Sequence, residues 1–357
     1  MKRVFMSIFM CALTLALCAS CWRDKDDENQ KPQDPTEQVQ TSWYATGICY
    51  NEEIDNIAAT VWKDGQVLYS IAEPESNTIA YGICVSGKDV YSCGLLENSE
   101  SEYSVIWKNG EQILRVDMDN EVLSGHLGNG FTDIAVIGTD VYALGEIYFG
   151  SSDYAAAIFK NGTPTFVDRA AKGAEVTSIK AVGKSLYAIG CVEINQQTMP
   201  AVWKDGTLTT LALPEGTDGG AAYSLSEHNG DIYVAGELYM DSNDTTYACV
   251  WKNGEPMNIA VTAQDDTYAT GVAVLSDSIY TSGTMWTEDD EIACVWENDM
   301  QSMLGVGEAM GVVSYNGKII VGGYSYFMDD DSFAPLATVW IDNTPHYLGY
   351  GMITRMQ

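Results

Sequence analysis

AVWKDG at 201–206 is written six more times in this chain, as AATVWKDG (58–65), YSVIWKNG (103–110), AAAIFKNG (155–162), YACVWKNG (247–254), IACVWEND (292–299) and LATVWIDN (336–343). Aligned on the aromatic, the copies stand at Trp62, Trp107, Phe159, Trp203, Trp251, Trp296 and Trp340, in steps of 45, 52, 44, 48, 45 and 44. The sequence is one module repeated seven times.

A second motif precedes each aromatic by 13 to 17 residues and reads as a strand ending on glycine: SWYATG (42–47), DVYSCG (89–94), DVYALG (140–145), SLYAIG (185–190), DIYVAG (231–236), SIYTSG (278–283) and KIIVGG (318–323). In every copy but the first, an apolar strand and a tight turn lie before it, as in AYGICVSGK or TSIKAVGK. Short runs rich in β-branched and aromatic residues, bounded by Gly, Asn or Asp, are strands joined by hairpins. After the aromatic, Asp-Gly or Asn-Gly predicts a further hairpin into a fourth short strand, such as QVLYSIA or LTTLALP. Four antiparallel strands in about 45 residues is the size of one β-propeller blade.

The phase of the ends adds a closure. The chain enters the repeats on a second strand (SWYATG) and leaves on a first strand (YGMITRMQ). The expected fold is therefore all-β: a seven-bladed β-propeller over 42–357, closed by pairing of the C-terminal strand with the N-terminal blade. Closure removes the sheet edges of an open array. The recurring Trp and Tyr are read as packing between blades.

Residues 1–20 carry Lys2 and Arg3 ahead of an apolar run from Val4 to Leu17, too short to span a bilayer and of the kind that directs export. Residues 21–41 are polar, proline-containing and without apolar periodicity, and read as a disordered tether. The end of the apolar run, Cys18-Ala19-Ser20-Cys21, resembles a bacterial lipobox, and WRDKDDENQ after it resembles the surface-export signal of Bacteroidetes lipoproteins. The resemblance implies lipidation at Cys21, which follows small residues where Cys18 follows bulky Leu17, and a lipid-anchored position on the outer membrane at the cell surface. Ordinary cleavage and secretion is the alternative. The module itself resembles extracellular HAF-type repeats, and its architecture that of WD-repeat and kelch propellers. The HAF signature histidine is missing from every copy, so only architecture is carried over.

The 50 acidic and 18 basic residues give a net charge of −32, which excludes a nucleic-acid phosphate partner. Between the glycine of the second strand and the aromatic of the third, the seven modules hold 19 acidic residues and no Lys or Arg. These loops share one face with those before the first strands, whereas Lys63, Lys108, Lys160, Lys204 and Lys252 belong to hairpins on the opposite face. Solubility alone accounts for an acidic face. The acidic loops also carry aromatics, and carboxylate acceptors beside flat rings suit sugars, calcium or cationic peptides. Modules six and seven combine both features best, making Trp286, Asp289, Asp290, Glu291, Tyr326, Phe327, Asp329, Asp330 and Asp331 the candidate ligand-binding residues.

Catalytic and metal chemistry find less support. His126, His228 and His346 are the only histidines and fall in three different modules, which leaves no expected triad. No cofactor is expected. DMDNE (117–121) and MDSND (240–244) have carboxylates at alternate positions, suited to calcium, yet neither completes a calcium loop. The six cysteines beyond Cys21 are expected as buried free thiols, with Cys84 and Cys93 placed diagonally across a hairpin. The leading expectation is a monomeric, non-catalytic binding protein for a carbohydrate or a cationic protein. A carbohydrate-active hydrolase or lyase with carboxylates near the channel mouth, and a scaffold without a small ligand, are its rivals.

Overall fold

The computed structural model describes residues 42–51, 55–118, 125–150, 153–168, 174–240, 245–257, 266–329 and 332–357, excepting the side chains of 327–329, 332 and 333. The expected export segment and tether, with Cys21, lie outside the described residues. Gln40–Gln357 forms a single compact unit.

The described residues form twenty-six strands and no helix. The first three are β1 (Tyr44–Asn51), β2 (Asn56–Lys63) and β3 (Gln66–Ile71). Four antiparallel four-stranded blades follow in chain order. They are β4 to β7 (Ser76–Ser86, Asp89–Asn98, Glu102–Lys108, Glu111–Asp117), β8 to β11 (His126–Ile137, Asp140–Tyr148, Tyr154–Lys160, Thr163–Phe166), β12 to β15 (Glu175–Val182, Ser185–Ile194, Gln197–Lys204, Thr207–Thr210) and β16 to β19 (Gly219–His228, Asp231–Met240, Thr245–Lys252, Glu255–Met257). The last seven strands are β20 (Asp266–Leu275), β21 (Ser278–Trp286), β22 (Glu291–Glu297), β23 (Met300–Tyr315), β24 (Lys318–Asp329), β25 (Ser332–Ile341) and β26 (Thr344–Met356). With β1 to β3 they form one ten-stranded sheet, in the order β20 to β26 and then β1, β2, β3. The C-terminal strand thus pairs with the N-terminal one: Ala45 lies opposite Met356 and Cys49 opposite Gly351.

The ten-stranded sheet departs from the expectation of separate fourth and first strands in every module. In β23 and β26 the two run on as one, because MLGVG (303–307) and YLGYG (347–351) contain no loop, only a Gly-x-Gly pair. Gly305 and Gly307 have φ of 125° and 139°, and Gly349 and Gly351 have 127° and 147°, conformations closed to residues with a Cβ. A Cβ on Gly351 would also sit 2.0 Å from the Ile48 carbonyl oxygen.

The repeated Lys-Asx-Gly has a local structural cause. Asp64, Asn109, Asn161, Asp205, Asn253, Asn298 and Asp342 all take φ between 48° and 55°. That left-handed conformation is one Asn and Asp tolerate, and the hairpin requires it. The same side chain reaches back to the start of the second strand. Asn109, Asn161 and Asn253 each accept from a backbone N–H, of Val90, Val141 and Ile232, at 2.9 Å. Their amides donate to Asp89, Asp140 and Asp231. The preceding lysines pair with the same aspartates at 2.7–2.8 Å and lie over Tyr91, Tyr142 and Tyr233. The repeat signature is a clamp between the second strand and the third–fourth hairpin.

The aromatics in front of this clamp are buried, from Trp62 and Phe159 at 0% exposure to Trp107, Trp203, Trp296 and Trp340 at 1%. Each packs in an apolar layer shared by consecutive modules. One layer joins Tyr187, Ile189 and Val202 to Ala222, Val234 and Trp251. Another joins Trp43, Ala45 and Trp62 to Ile320, Val339 and Ile353. Cys84, Cys93, Cys191, Cys249 and Cys294 are buried free thiols, and Cys49 is a half-buried one. Burial pushes the Cys249 thiol up to about 12, so it stays protonated and behaves as a small apolar side chain.

Candidate functional site: an axial cavity

First strands of the modules carry a β-bulge beside the glycine within their partner strand, and on β8 the register is interrupted from Gly128 to Asp133. The register slips between Ala80 and Gly82, Val176 and Ser178, Ala222 and Ser224, Ala269 and Gly271, and Ala309 and Gly311. On β26, Thr354 is the extra residue. A bulge bends its strand and re-aims one side chain. Here the re-aimed hydroxyls bond to the next first strand: Thr177 Oγ1 donates to the Ala222 carbonyl at 2.8 Å, Thr270 to that of Ala309, and Thr354 to that of Ala80 at 2.8 Å. The last of these joins β26 to β4 as Thr177 joins β12 to β16.

Above this layer opens a cavity of about 620 Å³. Thr177, Thr270, Met310 and Thr354 form its floor, with Arg355 among them, and Tyr223, Glu237, Asp266, Tyr268 and Trp286 stand around it. Arg355, Thr270 and Met310 also line a second space of about 370 Å³ beside Lys180 and His228, so the bulge layer separates the two.

Arg355 is held by Asp133, whose Oδ2 lies 3.2 Å from the guanidinium. Asp133 is 4% exposed and occupies the position after the bulge that is Gly82, Ser178 or Gly271 in other sheets. It also accepts from Ser178 Oγ at 2.7 Å and Ile179 N at 3.0 Å. One carboxylate thereby ties β8, β12 and β26 together. Arg355 Nε is buried with no partner.

Glu237, which lines the cavity, and Glu308, which holds the lining Tyr268, are carboxylates dressed by phenols. Glu237 follows the glycine of its strand and receives Tyr223 and Tyr239 on one oxygen, Tyr239 at 2.9 Å. Glu308, on β23, receives Tyr268 on Oε2 at 3.0 Å and Tyr324 on Oε1. Burial and the adjacent carboxylates hold the Tyr223 and Tyr324 phenols protonated far above their ordinary range. Asp266 accepts from Thr246 N at 2.8 Å. Burial and the neighbouring Glu308 raise the Glu291 carboxyl.

The candidate residues separate in this setting. Trp286 lines the cavity, 49% exposed, with Tyr268 edge-on at 6.4 Å. Glu291 stands beside Glu308. Asp289 is exposed, and Asp290 closes the turn to Thr287; neither is among the residues that line the cavity. Tyr326 packs edge-on against Tyr324 at 5.3 Å. Phe327 and Asp329 lie on β24, their side chains outside the description, and Asp330 and Asp331 lie outside the described residues. So do most of both calcium candidates, 119–121 and 241–244. Among the described residues, no three His, Cys, Asp or Glu come together as a metal site.

Sequence reasoning passed over Tyr223, Glu237, Tyr268, Glu308 and Arg355. The legible signal was Glu146 and Glu237 directly after the strand glycine, a column that is Ile48, Leu95 and Cys191 elsewhere.

No protein-family model matches the sequence, and no curated protein is significantly similar to it. Among solved structures the chain is similar to the β-propeller domain of the Trilobed protease from Pyrococcus furiosus, with TM-score 0.49 and 10% identity over 87% of this chain and 96% of that one. It is similar to Pyrococcus horikoshii acylaminoacyl peptidase at TM-score 0.46 and 12% identity, over 88% of this chain and 54% of that one. Drosophila Semaphorin 1a, extracellular domains 1–2, follows at TM-score 0.42 and 10% identity, over 82% and 86%. Such likenesses concern the fold alone.

Proposed function

We propose that this chain is a non-catalytic binding protein, a closed seven-bladed propeller whose acidic, aromatic-bearing end holds a carbohydrate. The observation that carries this reading is the half-exposed Trp286 set beside carboxylate acceptors at the mouth of the axial cavity. An indole face takes the apolar face of a sugar ring while carboxylates accept its hydroxyls. Seven blades and closure are supported by the pairing of β26 with β1 and by the Thr354–Ala80 bond. A cationic protein is the other partner suited to an acidic rim. Anchorage through Cys21 at the outer membrane, facing the cell exterior, completes the proposal and rests on the N-terminal sequence alone.

The test is a glycan and protein array with the chain, run with and without calcium, followed by Trp286→Ala. A glycan hit weakens roughly tenfold or more when an interface anchor of this kind is removed. A cationic protein hit weakens instead with salt, because exposed charges are screened beyond about 8 Å at physiological ionic strength. Cys21→Ser is expected to release the protein from membranes, and unchanged fractionation defeats the anchor. The Glu291–Glu308 pair favours one second reading, a carbohydrate-active hydrolase, since paired carboxylates can divide acid and base roles. Product released from a bound glycan, and abolished in Glu291→Gln, establishes it.

A further inference from the structure

We propose that the axial cavity is an end-on pocket for the terminal, uncharged pyranose of a glycan, which deepens the carbohydrate reading and rests on it. Three observations point there. The cavity is read as a cup: Thr270, Met310 and Arg355 line both it and the space beyond, placing the bulge layer between the two, so a saccharide chain is expected to enter by its end and not to thread through. Its volume of about 620 Å³ lies in the range of small-molecule pockets, roughly 300–1,000 Å³.

Its polar groups are mixed, as sugar hydroxyls require, since each hydroxyl both donates and accepts. Glu237 receives both phenols on one oxygen, which leaves its second carboxylate oxygen free of them, and Asp266 also lines the cavity. Arg355 supplies donors from the floor. Its charge is already balanced by Asp133, so it offers hydrogen bonds without demanding an anion. A uronic or sialic acid would set a further carboxylate beside Glu237 and Asp266, with Glu308 one hydrogen bond beyond Tyr268, which like-charge repulsion opposes. Trp286 at the mouth provides the stacking face.

The experiment presents the full chain with oligosaccharides immobilised through their reducing ends, the free end being a neutral hexose, an amino sugar or a uronic acid. Cyclic oligosaccharides, which have no end, are added as soluble competitors. Neutral termini are expected to bind, uronic termini to bind at least roughly tenfold more weakly, and cyclic competitors to displace nothing. Ligand should also protect Trp286 from acrylamide quenching; the other described tryptophans are buried. Glu237→Gln and Met310→Trp, the latter filling the cup without removing a polar partner, are each expected to cost tenfold or more in affinity. Tyr347→Ala, at an exposed aromatic on the outer part of β26, is expected to change nothing.

If neutral glycans bind the chain but both cavity variants bind as well as it does, the pocket is wrong and the ligand sits elsewhere on the face. Binding led by uronic termini, or displaced by cyclic sugars, overturns the pocket in the same way. If no glycan of any class binds, the carbohydrate reading falls with it. Should Met310→Trp lose its thermal transition, Glu237→Gln and the quenching measurement decide.

Discussion

Asn161 shows how much one side chain does in this repeat. It holds φ at 49°, accepts Val141 N–H and donates to Asp140. Asn161→Ala puts a residue that disfavours the left-handed region in place of one that tolerates it and removes both bonds, an expected loss of about 2 kcal/mol in urea unfolding. Asn161→Gly keeps the conformation and should lose clearly less. Lys160→Met should matter less still, because its pair with Asp140 is solvent-exposed. Glu291 gives the pH dependence. Its folded-state pKa is raised, so its stabilising contribution is complete below the ordinary glutamate range and is lost as pH rises through the raised value. Glu291→Gln is therefore expected to raise the melting temperature at neutral pH and to converge with the native chain near pH 4. A constant difference across that range would contradict the assignment.

At the level of strands, the module was legible because its clamp needs particular residue types: Asn or Asp before Gly, an aromatic to fill the layer between sheets. The bulges were not. Their extra residues include Tyr223, Thr177, Met310 and Thr354, a position defined by backbone register and cavity exposure that any side chain can occupy. For the same reason the cavity floor was invisible, and Trp286 was found only because it ends β21 next to the acidic run 288–291. The merging of fourth and first strands was written in Gly-x-Gly, which marks a turn as readily as a continuous strand. Gly351→Ala tests that element: with φ at 147° and Ile48 O in the path of the Cβ, it is expected to cost about 3 kcal/mol. Gly305→Ala meets no neighbour within 4 Å and isolates the backbone strain from the clash.

Across the whole compact unit, the last six residues join sheets distant in sequence. Thr354 bonds to Ala80, Arg355 to Asp133, and Gln357 to Val85 N at 2.9 Å. Removing 352–357 leaves the buried Asp133 without its cation and takes from β1 most of its pairing on the β26 edge, and stranding a buried charge costs about 3–5 kcal/mol. The truncated chain is expected to melt at least 10 °C below the native one, or to lose its single transition; an unchanged melt would contradict a stabilising role for the β26–β1 pairing. The pairing has a mechanical consequence as well. Tyr44 and Gln357 exchange hydrogen bonds at 2.7 and 2.9 Å, and β1 is flanked by β26 on one edge and β2 on the other. A pull delivered through the residues before Ser42 therefore enters a strand gripped on both sides, and tension is shared between the first and last parts of the chain before either ladder can peel alone.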